Sequence, residues 1–277
     1  MGPDRGDAQF EGGLSVRIFS AASARLPSSF KWGSWAALLK RIPVYARMNG
    51  VTTGVAYLLL ALVPTAPASA QIPPSPAELQ AYRGLHAAAA RGDTAEIERL
   101  VKTGAAIDAR DGRARTPLHV AAFMQKPDAT RTLMRLGADA NALEVQQYDV
   151  VTIAAVADDV PTLKAALAGG CRATNITSPY QGTALIAAAH LGHDEVVRIL
   201  IAAKAPLDHV NNLGWTALIE SIVLGSGGQH HVATLKALVD AGANVNIADR
   251  SGETPLTLAK RRGFAEMVKF LEAAGAR

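Results

Sequence analysis

The amino-acid sequence predicts an all-α solenoid, a stack of similar helix–turn–helix units. Glycine returns at a fixed interval: Gly104, Gly137 and Gly170 are 33 residues apart, and Gly242 and Gly275 again 33 apart. A second series runs in step, Arg83, Thr116, Asp149, Thr183, Thr216 and Thr254, at spacings of 33, 33, 34, 33 and 38. Only 5% of the residues are aromatic in a chain that is 49% hydrophobic, which suits thin Ala/Leu layers better than a thick core of large rings. A unit of this length cannot bury its apolar face alone, so neighbours must stack.

Taken in order, residues 1–38 show no sustained periodicity and are rich in Gly, Ser and Ala; residues 1–47 read as a disordered extension or a mis-assigned start, with translation expected nearer Val44 or Met48. Residues 48–70 read as a signal peptide. Lys40, Arg41 and Arg47 supply positive charge, Val51 to Val63 is a short apolar run, and Ala68-Ser69-Ala70 offers small residues for cleavage after Ala70. The run is too short to cross a bilayer core, so no stable membrane insertion is expected once it is removed. Residues 71–78 are expected to be a linker, within which Ser75-Pro76-Ala77-Glu78 forms a capping box that opens the folded body.

Charge follows the same division. The formal net charge is +4, and residues 1–70 carry seven basic and three acidic groups, which is the whole excess. The remainder is balanced, so no overall field would draw it to nucleic acid or to an anionic membrane. With Cys171 as the lone cysteine, no internal disulfide can form.

Six units are expected over 79–277: 79–111, 112–144, 145–178, 179–211, 212–249 and 250–277. Each offers a polar turn, an N-cap, a short Ala-rich helix, a break, a second helix and a closing glycine, which takes the left-handed conformation at low steric cost. Ala121-Ala122, Ala154-Ala155 and Ala187-Ala188 allow close helix packing, and Leu100, Leu133, Leu200, Leu238 and Leu271 mark the buried stripe of the second helix. Lys204 takes the glycine position in the fourth unit, so that helix end is expected to terminate differently.

Thr116-Pro117-Leu118-His119-Val120-Ala121-Ala122, Gly192 to Leu200 and Gly242 to Asp249 together resemble the ankyrin-repeat family over about 79–277. The resemblance implies two antiparallel helices per unit, a protruding hairpin, and a concave groove that binds other proteins. It gives His86 and His119 a structural role in tying turns together. It also places a five-residue excess within Gly225–His231, between the two helices of the fifth unit, either as a tolerated linker or as a functional loop. Cys171 falls where other units have Ala, which suits a buried small-residue position.

No catalytic, cofactor-binding or metal-ligating set emerges. His230-His231 lacks the spacing of a helical zinc pair, and Gly225–Gly228 lacks the Lys-Ser/Thr of a phosphate loop. Protein-binding candidates are Arg113, Arg115, Phe123, Tyr148, Tyr180, His190, Asn212, Trp215 and Glu253, at hairpin tips or inner-helix ends. Tyr148, Tyr180 and Trp215 on successive units would form either an aromatic stripe in the groove or rings packed flat on neighbouring hairpins. Arg110, Arg113 and Arg115 are read as a solvated edge. The expected function is that of an exported, periplasmic, monomeric scaffold, without a cofactor, for an unidentified protein partner. A secreted effector that binds a host protein is the alternative, and a metal-dependent enzyme using His/Asp residues the remoter one.

Overall fold

A computed structural model describes residues 71–277; the expected extension and signal peptide lie outside the described residues. An extended stretch over 71–75 leads into α1 (Pro76–Ala81), whose capping box forms as its sequence dictates. Ser75 Oγ accepts the Glu78 N–H at 3.2 Å, and the Glu78 carboxylate accepts the Ser75 N–H at 2.7 Å. Part of the expected 71–78 linker is therefore helix, and it is anchored, because Arg115 pairs with Glu78 and reaches the Ile72 carbonyl.

Six helix pairs follow. They are α2 (Gly84–Arg91) with α3 (Thr94–Lys102), α4 (Pro117–Phe123) with α5 (Pro127–Arg135), and α6 (Val150–Val156) with α7 (Val160–Ala168). The second half holds α8 (Ala184–Leu191) with α9 (Asp194–Ala202), α10 (Ala217–Val223) with α11 (Gln229–Asp240), and α12 (Pro255–Arg261) with α13 (Ala265–Ala273). Each inner helix packs on the next inner helix and each outer helix on the next outer one. Inner helices of seven or eight residues would not persist alone in water, so stacking is what holds them.

The caps sit where the Thr series puts them. Side chains of Thr116, Asp149, Thr183, Thr216 and Thr254 each accept a backbone N–H three residues on, and Arg83 of the first unit caps nothing. The alanine pairs Ala88-Ala89, Ala121-Ala122 and Ala154-Ala155 are fully buried. In the fourth unit the pair is Ala188-Ala189, one residue beyond the expected Ala187-Ala188, because its tip is one residue longer and carries an isolated bridge, Thr177 to Gly182. Leu133, Leu200, Leu238 and Leu271 are fully buried, each contributing about 2 kcal/mol of transfer free energy.

The tips depart from expectation. Apart from that bridge, no strand forms among the described residues; each tip is a tight loop closed by one backbone bond and one side chain. Asp111, Glu144, Asn211 and Asp249 each accept two backbone N–H groups, two and four residues ahead. Successive tips are joined by single backbone bonds, Val145 N–H to Arg113 O, Ser178 N–H to Gln147 O and Asn212 N–H to Tyr180 O.

Two further corrections concern the fourth and fifth units. Lys204 does not change how its helix ends. It adopts φ +64°, and its N–H and that of Ala205 bond Ile201 O and Leu200 O, the pattern that Gly104 and Ala105 make. The 225–231 insert is held on both sides. Three of its extra residues lengthen α11 to 12 residues from the usual nine, and His231 Nε2 donates to His190 O at 2.9 Å. On the other side, Arg262 donates to Val223 O and Gly225 O at 2.7 and 2.8 Å. It is a fastened loop, not a slack linker.

Candidate functional site

Three tips and three inner helices line one cavity of about 200 Å³ on the tip side of the third to fifth units. Tyr148, Tyr180 and Trp215, from successive tips, line it together with Leu213 and Leu224. The three rings thus meet at one place, in different states. Tyr148 is buried, with burial pushing its hydroxyl up to about 12, whereas Tyr180 is 39% exposed and Trp215 half-buried.

Polar groups gather at one wall. Glu220 Oε1 accepts from Asn211 Nδ2 at 2.9 Å, and Oε2 lies 3.2 Å from His190 Nδ1. Glu220 is only 4% exposed, and no lysine or arginine among the described residues forms an ion pair with it. The sequence reading missed Glu220, although a signal existed. Its position, four residues past the N-cap, holds Ala87, Val120, Ile153, Ala187 and Leu258 in the other units, so a carboxylate there is out of place. Asn211 matches it. The same loop position carries Asp111, Glu144 and Asp249 elsewhere, and an amide there can donate to Glu220 where a carboxylate would repel it.

The remaining candidates scatter. Arg115 has no exposed surface; its Nε donates to Asp111 Oδ2 at 2.7 Å and it pairs with Glu78, so it cannot meet a partner. Asp111 is held below the usual carboxylate range: burial pushes it up, but donors from Tyr82, at 2.6 Å, and Arg115 outweigh that. Arg113 lies 3.7 Å from Glu78, and the exposed Arg110 bonds Ala114 O and Leu143 O, so these two stay solvated while holding neighbouring tips, and only Arg115 departs from the solvated edge. Phe123, the last residue of α4, is partly buried against the core. Asn212 is exposed but ties its tip to Pro179 O at 3.1 Å, and Glu253 pairs with Arg261. Of the nine, Tyr148, Tyr180, His190 and Trp215 share the cavity.

The histidines tie turns together. The Thr116 N–H donates to His119 Nδ1, so that nitrogen is an acceptor and Nε2 carries the proton toward Ala142 O at 3.0 Å and Tyr148 O at 3.2 Å. Burial pushes His119 down to about 4. His86 reaches Arg115 O and His193 reaches Ala155 O in the same manner. His230 lies beside Asp194 at 2.9 Å, and among the described residues no three His, Cys, Asp or Glu side chains cluster as metal ligands. Cys171 is buried, and burial pushes its thiol up to about 12, which leaves it unreactive. No helix among the described residues is long and apolar enough to cross a membrane.

Known proteins share these features. Family models of ankyrin repeats match residues 45–144 and 151–249, and a further one 228–272. The chain is 32% identical over 190 residues to an ankyrin repeat protein, YahD, of Escherichia coli K12, covering 68% of this chain and 94% of that one. The crystal structure of an ankyrin repeat domain from Acinetobacter baumannii AYE is similar at a TM-score of 0.67 and 42% identity, over 70% of this chain and 98% of that one. The ankyrin repeat domain of Bcl-3 is similar at 0.63 and 28% identity, over 71% and 87%. Ankyrin repeats generally serve as protein–protein interaction scaffolds, and proteins built from them are typically not enzymes. With helix pairs, caps and tips in register and more than half of its length matched by the family models, this chain belongs to the ankyrin-repeat family.

Proposed function

We propose that this protein is an exported scaffold that works in the periplasm and binds a protein partner through the face formed by its tips and inner helices. The observation that carries the binding face is the convergence of Tyr180, Trp215, Leu213 and Leu224 on one cavity, with Tyr180, Leu213 and Leu224 all substantially exposed. Aromatic and large apolar side chains left at a concave surface bury much area on binding at small entropic cost. Its apolar and aromatic walls suit recognition of a partner's side chains.

Export rests on the charge, apolar run and small residues of the N-terminal segment. Two measurements test the reading. Affinity capture from envelope extract with the full chain and with Tyr180→Ala/Trp215→Ala should recover a protein that the variant loses; equal recovery by both overturns the binding face. Fractionation with N-terminal sequencing should find a periplasmic form that begins at Gln71. An unprocessed cytoplasmic protein overturns export, and recovery from the medium points to the secreted effector instead.

A further inference from the structure

We propose that the cavity takes a lysine or arginine side chain of an extended partner segment, its charged head meeting Glu220 and its stem lying against Tyr180 and Trp215. The inference deepens the binding-face reading and rests on it. Five observations converge.

A carboxylate stands where five other units place an apolar or small side chain, and it lines the cavity with its side chain 5% exposed. A charge in such a place is costly unless it is paired, and its partners here are an amide and an imidazole, with no lysine or arginine. The cavity walls suit a cation as well. Aromatic faces attract ammonium and guanidinium groups, and the methylenes of Lys and Arg pack on apolar surface.

The size points to a side chain. About 200 Å³ falls below the roughly 300–1,000 Å³ typical of small-molecule sites. Gln71 also lines the cavity, and its Nε2 is sheltered from solvent with no acceptor among the described residues. A peptide carbonyl arriving with the cationic side chain would supply one.

The second unit shows the same recognition completed within the chain. The slot occupied by Trp215 in the fifth unit holds Arg115 there, and its guanidinium lies between the carboxylates of Asp111 and Glu78. The fifth unit keeps an acid but has Trp215 in place of the arginine.

Isothermal titration of the full chain with N-acetylated, C-amidated tripeptides Gly-Lys-Gly, Gly-Arg-Gly and Gly-norleucine-Gly tests this directly. The cationic peptides should bind about tenfold or more tightly than norleucine at low salt, a difference of about 1.4 kcal/mol, and the gap should narrow as salt rises. Glu220→Gln, which keeps an oxygen for Asn211, should abolish the preference, and Tyr180→Ala should weaken all three peptides. Should Glu220→Gln fail to fold, the salt dependence in the unaltered protein decides. Equal binding of norleucine and lysine peptides, a preference that survives Glu220→Gln, or no binding of the cationic peptides at up to ~10 mM, a free energy weaker than about 3 kcal/mol, overturns the proposal. Capture that still depends on Tyr180 and Trp215 while the peptides show no charge preference would leave the binding face standing and remove only the cation.

Discussion

The second and fifth units fill equivalent positions with opposite chemistry. In the second, the loop acid Asp111 is met by Arg115 at the tip and by the Tyr82 hydroxyl, and Arg115 is shared with Glu78 of the N-terminal helix. Every charge has a partner in the chain, and the position is closed. In the fifth, the loop acid has become Asn211, the tip base has become Trp215, and the acid has moved onto the inner helix as Glu220. The carboxylate is now met by an amide and an imidazole at the edge of an open, aromatic-lined cavity. One scaffold position can thus act as a fastener or as a receptor, and what decides between them is whether the chain supplies its own cation.

The largest expected effect comes from opening the closed unit. Arg115→Met removes the guanidinium, leaving Asp111 without a charged partner and Glu78 with only the looser contact to Arg113 at 3.7 Å. Breaking a buried pair by removing one member costs about 3 kcal/mol, and Glu78, being partly exposed, recovers a share from water. Urea denaturation should show a loss of about 2–3 kcal/mol, together with earlier proteolysis near α1. Unchanged stability would mean that the N-terminal helix does not depend on this pairing.

Acid should separate the same two units. Three residues past the cap the second unit has His119 and the fifth has Ile219, which cannot titrate. His119 sits near 4 when folded because burial disfavours its charged form, against an unfolded value near 6.5. The unfolded chain therefore binds the extra proton first, and the stability His119 contributes above pH 6.5 is lost as the pH falls toward 4. The loss amounts to about 3 kcal/mol at most. Protonating Nδ1 would set an N–H against the Thr116 N–H, which is the structural form of that cost. Urea denaturation across this window should show the decline. His119→Gln, less stable at pH 7, should lack that part of the slope, which separates it from Glu144 and Asp149, whose burial pushes their carboxyls up. Equal slopes in both proteins would contradict the assignment.

Asn211→Asp sharpens the contrast by returning the loop acid to the fifth unit. Its Oδ1 would still accept from the Leu213 and Trp215 N–H groups, but the other oxygen would face Glu220 across a distance now spanned by a 2.9 Å hydrogen bond. Two carboxylates so placed cannot both ionise cheaply, and one is forced to hold its proton above the ordinary range. A deficit of about 2 kcal/mol is expected at pH 7, shrinking toward pH 5 as the pair takes up a shared proton. A deficit that does not vary with pH would show that the two groups do not interact.

The parts legible in the sequence were those set by one unit at a time. Thr116, Asp149 and Thr216 cap helices because a cap needs only its own next turn, and the glycine series ends helices for the same local reason. What the sequence concealed depends on neighbours. Arg115 and Tyr148 occupy tip positions that look solvent-facing, and they are buried because the N-terminal segment and adjoining tips cover them. The glycines of the insert suggest slack, yet Gly225 leaves no room for a side chain beside the Ser221 carbonyl, and Arg262 fastens the loop from the next unit. Glu220 was readable only as an exception within its column of units. Composition, which counts residues without placing them, gave no hint of it.

The smallest expected effect concerns a helix end that spacing alone misjudges. Lys204 occupies the slot where Gly104, Gly137, Gly170, Gly242 and Gly275 end their helices, all at positive φ. The expectation of a different ending assumed that a side chain would refuse this conformation, whose steric cost is about 1–2 kcal/mol. Neighbouring units fix where the next tip must begin, so the chain accepts that strain to keep register, and the Ala205 N–H still bonds Leu200 O at 3.0 Å. Lys204→Gly should recover part of the strain, offset by the greater freedom of glycine in the unfolded chain, for a net gain of about 0.5–1 kcal/mol in urea denaturation. A loss on this substitution would mean that the lysine side chain contributes more where it lies than its backbone costs, and that the fourth unit departs from its neighbours by design of the surface, not by tolerance of the fold.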